Sequence, residues 1–255
     1  MSRHAAVRPA FDPAALPAAV PSTMKDAAAR ADTPLQLHLE LAPVVFQPAS
    51  GFVLPGPSEE FRTLRTRLEQ LRATRVVLQT LLIASPAPQD GKSFTAANLA
   101  LAEAQLSDNP TLLCDFDLRS PTLHSVFQLE RAPGISDYLL GQADLHQALR
   151  RIGNTNLFLM PAGQSVINPL ELLHLKEVHR LMERLRTAFR WILLDSPALQ
   201  AASDANVLAA QSDGTLLVMR MGATTGESMD RAIRSLGQDS ILGLVANGTA
   251  EHHGR

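Results

Sequence analysis

The stretch from Val76 to Leu106, VVLQTLLIASPAPQDGKSFTAANLALAEAQL, most constrains the fold of this chain. An apolar run leads into a turn, and the turn leads into a helix that opens on Gly91, Lys92 and Ser93. In such a strand–turn–helix unit, the turn amides and the positive end of the helix face an anion. Lys92 adds charge for outer phosphates, and the Ser93 hydroxyl is a magnesium ligand. The stretch predicts a nucleotide-phosphate loop, although Pro86 stands where the usual pattern has its first glycine.

Composition excludes several other classes of protein. The chain has 255 residues, 45% of them hydrophobic, which is enough for a sizeable core. Its net charge is −2 and no Lys/Arg block stands out, so we expect no nucleic-acid partner. Cys114 is the only cysteine, which excludes an intramolecular disulfide and a cysteine-rich metal site. No apolar run has the length of a membrane span, and we expect a cytoplasmic protein.

The chain divides into three segments by composition. Residues 1–56 are rich in Ala and Pro and lack sustained periodicity, which predicts a mobile leader. Within it Leu35–Phe46 is more apolar, and two interpretations stand: a short docking segment, or part of a loosely ordered tail. Residues 57–250 predict one α/β domain with a doubly wound, mainly parallel sheet and helices on both faces, of the P-loop NTPase type. Residues 251–255 form a short tail.

Apolar runs and helical patterns alternate along this predicted domain. Several of the strands are continuous apolar runs, which is typical of parallel strands buried on both faces. We predict strands at 76–84, 111–116, 156–160, 190–195, 214–220 and 241–246. We predict helices at 58–72, 92–106, 169–188, 202–210 and 224–236, with short ones near 135–140 and 144–151.

Three carboxylates directly follow predicted strands. Asp115 and Asp117 end the second strand, and Asp195 ends the strand WILLD. Because parallel strands present their carboxyl ends at one edge, we expect all three at the phosphate-binding edge. Magnesium uses one or two carboxylates together with phosphate oxygens and waters. Together with Lys92 and Ser93, these carboxylates predict a magnesium–nucleotide site.

At this point the sequence resembles the bacterial tyrosine kinases of capsule and exopolysaccharide synthesis, including their chain-length-determinant branch. SPAPQDGKSFTAANLA resembles the first nucleotide motif of that family, and LLCDFDLRSPTLHSVF, from Leu112 to Phe127, resembles the second. ILLDSPA resembles the third, and ILGLVANG resembles the last strand. The resemblance covers about residues 57–248.

The resemblance implies a role for each matched residue. Lys92 and Asp117 would be catalytic, with Asp117 as the base toward a tyrosine hydroxyl, and ATP and Mg²⁺ would be the cofactors. Asp195 would support the metal, through water. The implied nucleotide-binding set is Ser85, Gln89, Asp90, Gly91, Lys92, Ser93, Phe94 and Asn247; the implied metal set is Ser93, Asp115 and Asp195; and the implied subunit interface of a ring is Glu59, Arg62 and Arg65.

Three departures from the family pattern affect what can be expected. Gln89 replaces a glycine, and glutamine adopts a positive φ only at a cost. Phe94 stands where the family often has threonine. Tyr138 is the only tyrosine, so we do not expect the tail autophosphorylation of many family members.

The implied function is an ATP-dependent tyrosine kinase or related ATPase that regulates exopolysaccharide polymerisation, export and chain length. A membrane polysaccharide co-polymerase would activate it and hold it at the inner face of the plasma membrane. Two alternatives remain open. One is a catalytically degenerate nucleotide-binding scaffold of the same pathway. The other is a partitioning-type ATPase, a class that carries an additional lysine where this chain has Ala87.

Overall fold

Seven strands form one sheet in the computed structural model, which describes residues 57–75, 77–106, 108–201 and 203–248. The strand order is β3-β4-β2-β5-β1-β6-β7, and all neighbours are parallel except β3 and β4. The strands are β1 Thr80–Ala84, β2 Thr111–Asp115, β3 Arg150–Arg151, β4 Leu157–Met160, β5 Trp191–Asp195, β6 Gly214–Arg220 and β7 Ile241–Asn247. The predicted leader and tail lie outside the described residues.

Nine α-helices connect these strands within the described ranges. They are α1 Glu59–Thr74, α2 Lys92–Glu103, α3 Leu123–Val126, α4 Ile135–Leu139, α5 Leu145–Ala148, α6 Pro169–Leu173, α7 Lys176–Arg186, α8 Asp204–Ala209 and α9 Gly226–Leu236. A short 3₁₀ turn, Gln238–Ser240, precedes β7. Measured by length and apolar content, no helix in the described ranges would cross a bilayer.

The sheet has a hydrophobic core on each face, which confirms the predicted doubly wound architecture. On one face, buried side chains of α1 and α2, such as Leu68 and Leu99, pack against the sheet. On the other face, α4, α7 and α9 contribute Ile135, Leu181 and Ala232. Strands β1, β2, β4 and β5 are buried along their whole length because both faces are covered.

Two predicted helices were wrong in part. The predicted helix 169–188 is two helices, because Leu175 takes an extended backbone (ψ 143°) and packs against the core. The predicted helix 144–151 ends at Ala148, after which Arg150–Arg151 pairs antiparallel with β4. In both places tertiary packing outweighs local helix propensity. The first strand begins at Thr80 in the structure rather than at the predicted residue 76.

The register of the central strands brings the predicted carboxylates together. Asp195 at the end of β5 lies beside Ile83 of β1 on one side and Asp115 of β2 on the other. The loop after β1 therefore begins next to both carboxylates. This alignment positions the site at the carboxyl edge of the sheet, as predicted.

A buried carboxylate lies at the opposite end of α2. Glu103 is fully buried, and neither of its carboxylate oxygens has a hydrogen-bond partner within the described part of the chain. Burial raises its pKa to about 8, and Glu69 adds to the shift, whereas Arg65, Arg190 and Arg72 oppose it. Glu69 itself accepts hydrogen bonds from the Trp191 indole at 2.8 Å and from Arg190 at 2.9 Å.

Glu103→Gln should therefore stabilise the protein at alkaline pH. Because the folded pKa of Glu103 lies above its unfolded value, its ionisation destabilises the fold increasingly as pH rises from about 4.5 to about 8. We expect the free energy of unfolding to rise by roughly 1–3 kcal/mol at pH 8 and to change little at pH 5. Urea denaturation at both pH values measures this difference. Glu69→Gln is the matched control and should destabilise, and equal effects of the two variants would contradict the assignment.

Candidate active site

The loop between β1 and α2 is shaped by its own side chains. The Ser85 hydroxyl donates to the Ala87 carbonyl at 2.8 Å, and the Ala87 N–H donates to Asp90 Oδ2 at 2.9 Å. Thr224, which precedes α9, donates to Asp90 Oδ1 at 2.9 Å. Ser85 and Asp90, both predicted to bind nucleotide, are thus buried and engaged within the loop. Their side chains fix the path of the backbone whose amides would face a phosphate.

Two loop residues have a positive φ. Gln89 has φ 66°, the conformation that its glycine counterpart would adopt freely, at a cost of about 1 kcal/mol for a residue with a side chain. Gly91 has φ 97°, and a Cβ built there would lie 1.7 Å from Asn247 Nδ2. Asn247 donates from that nitrogen to the Asp90 carbonyl at 3.1 Å. The last strand therefore closes on the loop only because residue 91 is glycine.

Helix α2 begins directly after Gly91 and presents its free amides to the site. The Thr95 N–H donates to the Gly91 carbonyl at 2.9 Å, and the N–H groups before it have no acceptor within the helix. The Phe94 ring is 57% exposed and meets Phe61 of α1 edge-on, with ring centroids 5.8 Å apart. Phe94 therefore offers the predicted nucleotide site its backbone N–H, and its side chain belongs to the surface between α1 and α2.

Lys92 lies among the predicted catalytic and metal-binding residues. Its Nζ is 3.0 Å from Asp117 Oδ2, 3.9 Å from Asp195 Oδ1 and 3.2 Å from the Ser93 hydroxyl. Burial alone would lower the pKa of Lys92, but Asp195, Asp117 and Asp115 together raise it above the ordinary value. Lys92 is therefore a cation. It is held at the carboxyl edge of the sheet by the three aspartates that were predicted to lie there.

Two of these carboxylates are fully buried and incompletely partnered. Asp115 Oδ2 accepts the Leu123 N–H at 3.0 Å, but Asp115 Oδ1 has no hydrogen-bond partner within the described ranges. Asp195 makes no hydrogen bond of regular geometry there, and the groups that act on it are Lys92 Nζ, 3.9 Å from Oδ1, and the Ser93 hydroxyl. Burial raises the pKa of Asp115 to about 8, and the charge of Asp195 adds to the shift. Burial also raises the pKa of Asp195 to about 6, with Lys92 and the Ser93 hydroxyl opposing the shift.

Unpartnered buried carboxylate oxygens need a proton or a cation. With the Ser93 hydroxyl they form the hard-oxygen set that Mg²⁺ prefers, so the residues present fit the predicted metal. No group of three or more His, Cys, Asp or Glu side chains forms a metal cage among the described residues. The protein would therefore supply only part of the coordination, as is usual where phosphates and waters complete a magnesium site.

The loop after β2 is held by contacts that the sequence did not reveal. Asp117 Oδ1 accepts the Ser120 N–H at 3.0 Å while Oδ2 faces Lys92. Arg119 forms a two-pronged ion pair with the buried Asp204 of α8, at 2.9 and 3.2 Å. The only sequence signal at Asp204 was an acidic residue at a helix start, which does not identify its partner.

The three residues predicted at a subunit interface have different surroundings. Glu59 and Arg62 form an exposed ion pair at 2.8 Å on the outer face of α1. Arg65 instead donates to the Ala102 carbonyl at 2.8 Å, near the end of α2, and is partly buried. The structure therefore leaves Glu59 and Arg62 on the surface and gives Arg65 a role in packing α1 against α2.

The known proteins to which this chain is similar in sequence include tyrosine kinases. The tyrosine-protein kinase YwqD of Bacillus subtilis is 35% identical over 193 residues, which cover 75% of this chain and 81% of YwqD. The tyrosine-protein kinase etk of Escherichia coli is 31% identical over 192 residues, or 74% of this chain, which spans only 26% of etk. No protein-family model matches the chain.

Solved structures agree with this result. The kinase domain of the Escherichia coli tyrosine kinase ETK has a TM-score of 0.73 at 28% identity, covering 82% of this chain and 86% of that domain. The septum site-determining protein MinD of Pyrococcus horikoshii, solved with Mg-ADP, has a TM-score of 0.58 at 19% identity, covering 69% of this chain and 73% of MinD. That second similarity shows a shared P-loop ATPase-like fold alone. The motifs, the sheet and the tyrosine kinase relatives lead to one conclusion: the chain belongs to the bacterial tyrosine-protein kinase family.

Proposed function

We propose that the chain transfers a phosphoryl group from magnesium ATP to tyrosines of other proteins. The observation that carries this proposal is the position of Lys92 Nζ, 3.0 Å from Asp117 and 3.9 Å from Asp195, in the first turn of a helix whose initial amides have no acceptor within the helix. A cation, a candidate base and incompletely partnered metal-ligand oxygens converge there. Phosphoryl transfer needs this combination because the protein contributes positioning and charge neutralisation rather than covalent chemistry.

Each group has a defined part in the proposed reaction. Lys92 and the amides at the start of α2 would bind and orient the phosphates, and Ser93, Asp115 and Asp195 would hold the metal. When bound, magnesium would offset the negative charge of the phosphate oxygens. Asp117 lies at the same edge and would accept the proton of the incoming tyrosine hydroxyl. The ring of contacts around Asp90 keeps the loop in place.

The only tyrosine of the 255 residues is poorly placed as an acceptor. Tyr138 is partly buried and packs against the hydrophobic core. Its hydroxyl accepts a hydrogen bond from Arg184 at 3.1 Å, so the oxygen has a partner within the fold. Phosphorylation of Tyr138 would require its hydroxyl to give up the contact with Arg184. This supports an acceptor on another protein.

Asp115→Asn tests the site and separates chemistry from folding. We expect magnesium-dependent ATP turnover to fall by about a hundredfold or more, because the variant loses a metal ligand. Without magnesium at pH 8 the same variant should unfold at a higher temperature than the parent. The reason is that the folded pKa of Asp115, about 8, lies above the unfolded value, so its ionisation destabilises the fold as pH rises toward 8.

A malachite-green phosphate assay and thermal melts, with and without magnesium, provide both readouts. Asp230→Asn on the exposed face of α9 is a matched control and should change neither. Unchanged turnover in Asp115→Asn would contradict the proposed metal site. Loss of both turnover and stability would show that Asp115 is needed for folding instead.

A catalytically degenerate scaffold is the second candidate, and Gln89 and Phe94 favour it. The positive φ of Gln89 stores strain in the loop, and Phe94 supplies no hydroxyl to the site. Isothermal calorimetry with magnesium ATP distinguishes the candidates. Absence of binding at millimolar nucleotide supports the scaffold, and so does tight binding without turnover or transfer, in that case as a nucleotide sensor.

We propose that the exposed Glu59–Arg62 pair contributes to a homo-oligomeric ring. The side chain of Glu59 is 77% exposed and that of Arg62 is 44% exposed. Their ion pair joins one carboxylate oxygen to one guanidinium nitrogen, so the other oxygen and nitrogens remain accessible to a neighbouring subunit. The double variant Glu59→Ala, Arg62→Ala should shift sedimentation velocity profiles toward the monomer, with little change in melting temperature. The matched control is Glu177→Ala, Arg180→Ala, an exposed pair at the same spacing on α7. An unchanged profile in the first variant would contradict the proposed interface.

We propose further that the kinase regulates exopolysaccharide polymerisation, export and chain length. A membrane polysaccharide co-polymerase would activate it and bring it to the inner face of the membrane. The resemblance of Leu112–Phe127 to the second nucleotide motif of the capsule and exopolysaccharide kinases supports this proposed role. A radiolabelled ATP assay with and without the cytoplasmic segments of the co-polymerase tests it. No change in rate and no binding of those segments would contradict it.

A further inference from the structure

The two edge strands of the sheet, β3 and β7, differ in how well they are protected against pairing with a further strand. One edge is β3, which has two residues, both arginine. The other is β7, which has seven residues without any charged side chain or proline, and whose one register shift lies near its start and leaves Gly243–Asn247 regular. Natural sheets protect their edges with short strands, charges, proline or a covering element. Strand β3 has such protection, whereas β7 pairs with β6 alone in the described part of the chain.

The free backbone groups of β7 can be assigned from one hydrogen bond. The Asn247 carbonyl accepts the Met221 N–H at 2.9 Å and therefore points toward β6. Because successive residues of a strand alternate in direction, the N–H and C=O groups of Leu244 and Ala246 point away from β6. Both residues are exposed, and the Leu244 side chain is 56% accessible. These groups offer a template for one more strand.

The two faces of β7 define what such a strand must look like. Leu242 and Val245 are partly buried on the face covered by α1 and α2, where they join Phe61 and Leu64. The two share this face because β7 has a register shift between Ile241 and Gly243, and regular alternation runs from Gly243 to Asn247. Leu244 lies on the opposite face and is open to solvent. An added strand would therefore need apolar side chains toward the helices and polar side chains on the other face, in strict alternation.

We propose that residues Leu35–Leu41 of this same chain add to β7 as an edge strand. The sequence LQLHLEL places leucines at 35, 37, 39 and 41 and polar residues at 36, 38 and 40. This period of two is the pattern of a half-buried strand, and its seven residues match the length of β7. Beside the regular part of β7, from Gly243 to Asn247, the leucines would continue the face on which Val245 lies.

The start of α1 is close to the end of β7, which favours an occupant from the same chain. Phe61 of α1 contacts Phe94 beside the phosphate loop, and Asn247 contacts Asp90 of that loop. Residues 42–56 join the proposed strand to Pro57, and 15 residues can span up to about 50 Å. That reach exceeds the dimensions of a domain whose radius of gyration is about 16 Å. The connection is therefore long enough for either direction of pairing.

Paired cysteines in the full-length chain test this strand. Leu244→Cys is combined in turn with Gln36→Cys, His38→Cys and Glu40→Cys, and then with Leu37→Cys and Leu39→Cys. The native Cys114 is fully buried and does not compete. We expect an intramolecular disulfide from the even positions, with at least one yield about tenfold above those of the odd positions, since the even side chains share the face of Leu244. Ala15→Cys with Leu244→Cys is the control and should give little.

Hydrogen exchange gives an independent measurement. In the full-length parent, the amides of Leu244 and Ala246 should exchange at least about tenfold more slowly than in His38→Pro, Leu39→Pro, because in either direction of pairing one of these prolines removes a ladder N–H. Ala15→Pro, Ala19→Pro is the matched control and should leave both amides protected. Equal exchange in all three proteins would overturn the proposal. Equal disulfide yields at odd and even positions, or disulfides formed only between isotopically distinct chains, would overturn it as well.

Discussion

Lys92→Met is expected to abolish magnesium-dependent ATP turnover, lowering kcat/KM by about a thousandfold or more. Lys92 Nζ lies at the carboxyl edge of the sheet, 3.0 Å from Asp117 and 3.9 Å from Asp195. Methionine has a similar length but no charge, so the outer phosphates would lose their charged partner. The effect should appear in both kcat and nucleotide affinity, because in the proposed mechanism the ammonium would bind the phosphates before and during transfer. Steady-state turnover and calorimetry with magnesium ATP measure the two contributions.

The control for this change is Lys176→Met, which alters an exposed lysine at the start of α7. It should leave turnover within about twofold of the parent. Lys92→Met should also lower the melting temperature more at pH 8 than at pH 5, since the buried carboxylates Asp115 and Asp195 ionise over that range and lose their nearest cation. Turnover within tenfold of the parent in a folded Lys92→Met protein would contradict the assigned role.

The parallel sheet could be predicted from the sequence because its strands are nearly uniform apolar runs. WILLD and TLLCD are buried at every position, and a strand covered on both faces needs this composition. The predicted helix 169–188 was wrong because its interruption at Leu175 depends on packing against the core, which local periodicity does not contain. Strand β3 was missed because two arginines have no strand signal of their own.

The candidate site was predictable to the extent that it follows from topology. Asp115 and Asp195 lie in register because adjacent parallel strands end at the same edge. Contacts between distant segments were not predictable. Thr224 bonds to Asp90 across 134 residues, and Arg119 pairs with Asp204 across 85. Such partners are set by the folded arrangement of loops, and each side chain alone resembles an ordinary turn or helix-start residue.

Asp117→Asn is expected to separate phosphoryl transfer from nucleotide binding. The Asp117 carboxylate accepts the Ser120 N–H through Oδ1 and faces Lys92 through Oδ2. Asparagine can keep the first contact but cannot take a proton from a tyrosine hydroxyl. Transfer to a synthetic glutamate–tyrosine copolymer should fall by about a hundred- to ten-thousandfold. The dissociation constant for magnesium ATP should change by less than about tenfold, since the loop amides and Lys92 remain.

Single-turnover transfer of radiolabelled phosphate gives the first quantity, and calorimetry gives the second. Arg119→Lys is an informative comparison, because it disturbs the ion pair with Asp204 and hence the loop of Asp117 while leaving the carboxylate in place. A base role predicts that Asp117→Asn lowers transfer far more than nucleotide binding, whereas Arg119→Lys lowers transfer less because the carboxylate remains. If Asp117→Asn instead weakens binding and transfer to the same degree, Asp117 acts by positioning Lys92, and the proton of the acceptor must go elsewhere.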